Sequence, residues 1–327
     1  MPDTSTSTDT IKSNLDKRTL VVGDEESIVT NFPELADELL ACENLKICGE
    51  LSTEKPVDDL WQRVIETDPE RLWIIGGDGT INLVGECLIR HEHPLPVWLT
   101  PGGTANDLAR AITEHVQALD QPADLSQQQQ TASPASPERV AAIDLLKTTL
   151  DEAVQANCCA NMLTVGTSAR NTQHVTEEIK SRWGALAYLT QLWRAIGDLE
   201  PFSIRLRVGQ GDDRTVDGIL NLFIANGPYC GGGYKVSPPA KLDDGLMDVV
   251  VIKQGTTTEL ARIGASFLAG NYLEHELVEH FATNKVVVEF DAPSPLTLDG
   301  EAFTARRFEV NALRQYLPIT MIPGAGS

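Results

Sequence analysis

The chain has 327 residues, 42% of them hydrophobic, and sets 26 Lys and Arg against 47 Asp and Glu for a formal net charge of −21. That length supports two domains with separate cores. No apolar run of about 18 residues offers a membrane-spanning helix, and so acidic a chain without a basic patch disfavours a nucleic-acid partner or strong attraction to an anionic bilayer. The acidity is uneven. Residues 1–138 hold 9 basic and 25 acidic side chains, and residues 139–327 hold 17 and 22; solubility and life in a salty cytoplasm explain this equally well.

In chain order, residues 1–17 begin with a Ser-, Thr- and Asp-rich stretch lacking the apolar core of a signal peptide, and are expected to form a disordered tail on a cytoplasmic protein. From residue 18 to 138, strand-like and helix-like segments alternate. Thr19–Val22 reads as a strand, Glu34–Cys42 as a helix and Leu45–Cys48 as a strand. Val57, Leu60, Trp61, Val64 and Ile65 follow at helical spacing. Leu72–Ile75 and Val97–Leu99 read as strands, each followed by a helix-like segment, the second being Asp107–Leu119. The pattern predicts an α/β domain with a mostly parallel sheet. Residues 120–138, rich in Gln, Ala, Ser and Pro, read as a mobile loop.

From residue 139 to 327 the texture changes. Ala141–Leu146, Ala160–Val165, Ser203–Val208, Ile219–Ala225, Met247–Ile252, Lys285–Phe290 and Phe308–Asn311 read as strands, interrupted by two helices, Thr176–Leu199 and Thr257–Ala269. Strands joined by short turns predict a β-sandwich-like domain, with the extreme C-terminus free to return to the first domain. The six cysteines show no Cys-x-x-Cys spacing and read as buried thiols in a reducing compartment. His275 and His280 are badly spaced for one metal and read as solvated surface.

Two glycine-rich turns carry the chemistry. Gly76-Gly77-Asp78-Gly79-Thr80 follows the strand Leu72–Ile75, and Pro101-Gly102-Gly103-Thr104-Ala105-Asn106-Asp107 follows Val97–Leu99. Glycine at a strand end lets backbone N–H groups cradle phosphate oxygens, and the next helix adds its positive end. Asp78 and Asp107 put carboxylates in that corner, which suits a Mg²⁺ riding on the phosphates. The pair reads as a nucleoside-triphosphate site at the carboxyl ends of strands. A plain surface turn is the alternative for either motif alone.

At these residues the sequence resembles the bacterial diacylglycerol-kinase-like lipid kinases, relatives of the sphingosine kinases. Gly76–Thr80 is similar to their nucleotide signature, and Gly103-Thr104-Ala105-Asn106-Asp107 to their second motif. Asn226-Gly227, Gly231-Gly232-Gly233, Pro239-Ala240, Asp243–Asp248 and Asp299-Gly300-Glu301 follow in the family's order. The resemblance spans roughly residues 18 to 323.

It implies an ATP- and Mg²⁺-dependent kinase acting on a lipid hydroxyl, diacylglycerol-like or sphingoid. Such an enzyme reaches its lipid by transient contact with the inner membrane face and can form a homodimer. Gly76, Gly77, Asp78, Gly79, Thr80, Asn82, Gly103, Thr104, Asn106 and Asp107 are the expected nucleotide contacts. Thr53 joins them by resemblance, its other reading being a helix N-cap. Glu301 is implied as the base that takes the hydroxyl proton, with Asp299 and Asp78 beside it as catalytic candidates; a plain Asp-Gly hairpin is the alternative. In the Asp243–Leu246 loop, the carbonyls of Lys241 and Leu246 with the Asp244 carboxylate would make an oxygen-rich Mg²⁺ site, the position of a structural magnesium in the family, or else a simple turn.

The nucleotide turns and Glu301 are expected to line one cleft near residue 140. Three departures from the family pattern stand out: Leu83 replaces an acidic residue after the first motif, Gly102 replaces a leucine, and Val22-Gly23-Asp24-Glu25 replaces an Asn-Pro strand end. Leu83 and the Val22–Glu25 change support one alternative, a nucleotide-binding regulator without turnover; the other, a kinase of a soluble alcohol such as NAD, has Gly103–Asp107 and the late Asp-Gly-Glu against it.

Overall fold

The structure is a computed structural model that describes residues 11, 12, 14, 16–102, 106–119, 140–153, 155–166, 200–322 and 324. The expected loop at 120–138 and helix Thr176–Leu199 lie outside the described residues, as do residues 1–10, 13 and 15 of the expected tail. The chain divides into two compact units, one of Met1–Ile143 with Tyr316–Ser327 and one of Asp144–Gln315.

The first unit alternates strands and helices: β1 (Thr19–Val22), α1 (Glu25–Asn31), α2 (Ala36–Leu40), β2 (Leu45–Ile47), α3 (Pro56–Thr67), β3 (Arg71–Gly76), α4 (Asp78–Arg90), β4 (Val97–Pro101) and α5 (Asp107–Leu119). Its sheet is laid down in the order β2-β1-β3-β4, and β4 takes as its outer neighbour the end of the last strand, β15 (Glu301–Met321). These pairings are parallel. Parallel strands are covered on both faces and so read as unbroken apolar runs; Leu72, Trp73, Ile74, Val97 and Leu99 are all buried. Thr100 fixes the C-terminal strand here, since its hydroxyl receives Trp73 Nε1 at 3.0 Å and donates to the Ile322 carbonyl at 2.8 Å.

Two expectations are corrected in this unit. The segment ahead of β1 is packed where it is described: Ile11 is fully buried among Val21, Ile28, Phe32 and Trp73, and the Arg71 guanidinium, stacked on Trp98, donates to the Asn14 carbonyl. An isolated isoleucine in a polar tail is a plug, with burial outweighing the entropy of ordering a few residues. The helix expected over Glu34–Cys42 shortens to Ala36–Leu40, and an extra one, α1, precedes it. Asp24 caps α1 by accepting from Ser27 N at 2.7 Å. Hydrogen bonding to Ser27, its side chain first and its backbone N–H second, holds the Asp24 carboxyl below its usual range, so the departure at Val22–Glu25 has a local structural cause.

The second unit is built from antiparallel strands. Its elements are the later part of β5 (Val140–Leu150), β6 (Asn157–Cys159), β7 (Met162–Gly166), β8 (Phe202–Val208), β9 (Arg214–Ala225), β10 (Tyr229–Cys230), β11 (Tyr234–Lys235), β12 (Met247–Lys253), α6 (Thr257–Ala269), β13 (Val278–Thr283), β14 (Lys285–Leu298) and β15. Among the described residues β7 pairs with β9 and β14 with β15 in antiparallel fashion, while the pairings within β1–β4 and of β4 with the end of β15 are parallel.

Two long strands bend to close a circuit. β9 pairs with β8 through residues 214–219 and with β7 through 221–225, while β14 pairs with β8 through 286–289 and with β7 through 296–298. The β14 register breaks between Glu289 and Ser294, and left-handed Gly218, φ 68°, turns β9. Leu163, Val165, Leu206, Leu222, Ile224, Val286, Val288, Leu296 and Leu298 fill the inside. α6 starts with a capping box between Thr256 and Glu259, ends at left-handed Gly270, and packs Ile263 and Phe267 over Val250 and Tyr272.

Candidate active site

In the first unit the two glycine turns touch. Gly102 N donates to the Gly76 carbonyl at 2.9 Å, and a Cβ on Gly102 would stand 3.5 Å from the Gly76 Cα. A Cβ on Gly76 would stand 2.6 Å from the Thr80 hydroxyl, so glycine lets Thr80 fold back over the strand end. Asp78 opens α4, and its Oδ2 accepts from the first N–H groups of α5, Asp107 N at 2.8 Å and Leu108 N at 3.4 Å. Burial nonetheless pushes its carboxyl above the ordinary value, against those N–H bonds. Asp78 Oδ1 is buried with no hydrogen-bond partner among the described residues, and so is Asn106 Oδ1. Two buried oxygens at converging helix N-termini suit a phosphate-bound cation or a water.

Asn106 adopts a left-handed conformation, φ 49°, at the entrance to α5, and Asn82 and Asp107 are buried beside the turns. Gly77 and Gly79 belong to the first turn; Gly103 and Thr104 lie outside the described residues. Thr53 is exposed, and its N-cap reading is corrected: Lys55 is the cap position and carries no side-chain bond. Ser52 shapes that turn instead, with its hydroxyl accepting from Glu54 N and Lys55 N at 3.2 and 3.3 Å.

In the second unit Asp299 and Gly300, with φ 48° and 91°, form the two-residue turn that pairs Leu298 with Glu301. Asp299 is more than a turn residue. Its carboxylate accepts from Ala160 N at 2.6 Å, Met162 N at 2.7 Å and Asn161 N at 3.0 Å, with the Cys159 thiol at 3.6 Å, while Asp299 N donates to the Met162 carbonyl. Enclosure of that carboxylate pushes its pKa up to about 6, in spite of the three N–H groups that favour the ion. Bound in this way, Asp299 anchors the turn, and the exposed Glu301 side chain stands free of it.

The Asp243–Leu246 loop is likewise held from below. Asp144, fully buried in β5, accepts from Gly245 N at 2.6 Å and Gln315 N at 2.5 Å, and burial raises its pKa. Asp244 Oδ1 accepts from Leu246 N at 2.9 Å, closing the turn. Among the described residues no three His, Cys, Asp or Glu side chains group to hold a metal unaided. The loop expected to hold Mg²⁺ through Lys241, Asp244 and Leu246 is this turn, which Asp144 supports from below.

Sequence reasoning missed Asp144, whose signal is a lone carboxylate inside the apolar run Ala141–Leu146. It also missed Asn161, and read His280 as solvated surface; His280 Nε2 meets the buried carboxylate of Asp248 at 2.5 Å.

Comparison with known proteins fits this arrangement. Residues 25–136 match the diacylglycerol kinase catalytic domain, and residues 161–321 match the YegS C-terminal NAD kinase beta sandwich-like domain. A probable lipid kinase YegS-like of Xanthomonas axonopodis pv. citri is 32% identical over 257 residues, covering 74% of this chain and 77% of that one. A protein of the same description from Pseudomonas aeruginosa is 33% identical over 248 residues, covering 74% and 75%. A putative diacylglycerol kinase from Bacillus anthracis, known from its crystal structure, superposes with a TM-score of 0.67 over 94% of this chain and 95% of its own, at 18% identity, a likeness of fold. With its catalytic and sandwich domains both matched and its relatives aligned over three quarters of their length, the chain belongs to the YegS-like branch of the diacylglycerol-kinase-like lipid kinases and is a kinase.

Proposed function

We propose that this protein transfers the γ-phosphoryl group of ATP to a hydroxyl of a diacylglycerol-like or sphingoid lipid, with Mg²⁺ as the companion ion. The bond from the γ-phosphorus to the ADP oxygen breaks as the bond to the lipid oxygen forms, and the hydroxyl proton passes to the Glu301 carboxylate. The observation that carries this reading is the anchoring of Asp299 by three backbone N–H groups. A two-residue turn in an antiparallel pair needs no such anchor. Three donors spent on fixing it make sense when the residue it presents must be held in one place.

The remaining residues divide the work. Gly76–Thr80, with Asn82, Asn106 and Asp107, hold the triphosphate at the N-termini of α4 and α5. Asp78 ties the two turns together and keeps one oxygen for the ion. Mg²⁺, when bound, neutralises charge on the phosphate oxygens. Asp299 positions Glu301 and takes no proton from the substrate itself. Among the described residues no helix is long and apolar enough to cross a membrane.

The test is transfer of label from [γ-³²P]ATP to a panel of lipid extracts, with NAD as the soluble alcohol. Label in a neutral or sphingoid lipid, dependent on added Mg²⁺, supports the reading. Label in NAD alone makes the enzyme a soluble-alcohol kinase.

A further inference from the structure

Asn161 precedes β7 and is 7% exposed. Its backbone and side chain join three segments of the second unit. Its N–H donates to Asp299 Oδ1 at 3.0 Å, its carbonyl accepts from Asn226 N at 2.8 Å and Gly227 N at 3.3 Å, and its side-chain Nδ2 donates to the Tyr229 carbonyl at 2.9 Å. The last bond holds the hairpin of β10 and β11, whose link is Gly231-Gly232-Gly233, all three left-handed with φ of 71°, 88° and 101°. Such a hairpin has little stiffness of its own. Only a short side chain with an N–H donor reaches a carbonyl here from a buried position. Aspartate has the shape but presents lone pairs to lone pairs, and alanine leaves the carbonyl unpaired.

We propose that Asn161 is a positioning residue for the acceptor: it locks the glycine hairpin to the Asp299 turn, so that the lipid hydroxyl and the Glu301 carboxylate are presented to each other in one geometry. This rests on the reading of Glu301 as the base. Asn161 touches no reacting atom and acts through Glu301.

The experiment is a double-mutant cycle on the full chain, with Asn161→Ala, Asn161→Asp, Glu301→Gln and the two combinations. Each protein is assayed for kcat and for ATP affinity by titration, and hydrogen exchange is followed at residues 229–235. Each Asn161 variant should lose kcat by about 10²-fold, the cost of a misplacement near 1 Å, while ATP affinity stays within about twofold. Exchange should rise in the hairpin, and kcat in the Glu301→Gln background should fall no further.

Wild-type kcat in Asn161→Asp, or losses that multiply with Glu301→Gln, overturns the role of Asn161 while leaving the base in place. Loss of kcat accompanied by global unfolding in both variants makes Asn161 a plain fold residue and also overturns it. Wild-type kcat in Glu301→Gln alone removes the base assignment itself.

Discussion

Asp78 Oδ2 receives the backbone N–H of Asp107 at 2.8 Å, so the carboxylate of the first glycine turn caps the helix that follows the second. The two motifs are one device. Removing Asp78 therefore does more than delete charge at the phosphates. Asp78→Ala should abolish Mg·ATP-dependent turnover and also lower stability by about 1 kcal/mol, the usual worth of a lost N-terminal capping oxygen. Asp78→Asn, which keeps an accepting oxygen, should restore most of the stability and none of the activity. Thermal melts beside a kinase assay decide it. Full activity in Asp78→Asn would leave the carboxylate with a structural role alone.

Asp299 sets a pH dependence. Its pKa stands at about 6 against an ordinary 3.8. The folded value is raised, so its contribution to stability is fully present below the unfolded pKa and is lost as pH rises through about 6. Activity runs the other way. Only the ionised carboxylate accepts from all three N–H groups, so kcat/KM should climb as pH rises through about 6. Asp299→Asn should remove that limb and lower activity, because an amide NH₂ faces N–H donors. A limb that persists unchanged in Asp299→Asn assigns it to another group.

Gly166 closes β7 with φ 100°, where a Cβ would stand 2.2 Å from the Leu220 carbonyl and 2.9 Å from the Phe202 ring. Backbone cannot yield as a flexible side chain does, so Gly166→Ala should cost about 3 kcal/mol or more. The loss should appear as a lower melting temperature or insoluble protein. A wild-type melt would contradict the close packing of β7 on β9.

Where apolar runs or caps were strong, the sequence carried its fold openly. Leu72–Ile75 read as a strand because a parallel strand is apolar throughout, and α6 spans Thr257–Ala269 as expected, its ends marked by Thr256, Glu259 and Gly270. α1 escaped because only Ile28 on it is buried and no stripe forms. β15 read as four residues and runs over Glu301–Met321, since its mixed composition becomes a strand through its partners β14 and β4. The glycine turns and Asp-Gly-Glu announced themselves through residue type. Asp144 and Asn161 did not, because their roles lie in bonds to backbone groups of distant segments, which no spacing encodes.

Steady-state turnover of Glu301→Gln beside an ATP titration decides whether Glu301 takes the lipid's proton. Glutamine keeps the shape and loses the basicity, so kcat should fall by about 10²–10⁴-fold while ATP affinity stays near wild type, since the residue acts on the acceptor. Near-normal kcat would return Asp299-Gly300-Glu301 to a hairpin turn. A large loss of ATP affinity at normal kcat would make Glu301 a ligand of the nucleotide or its metal instead.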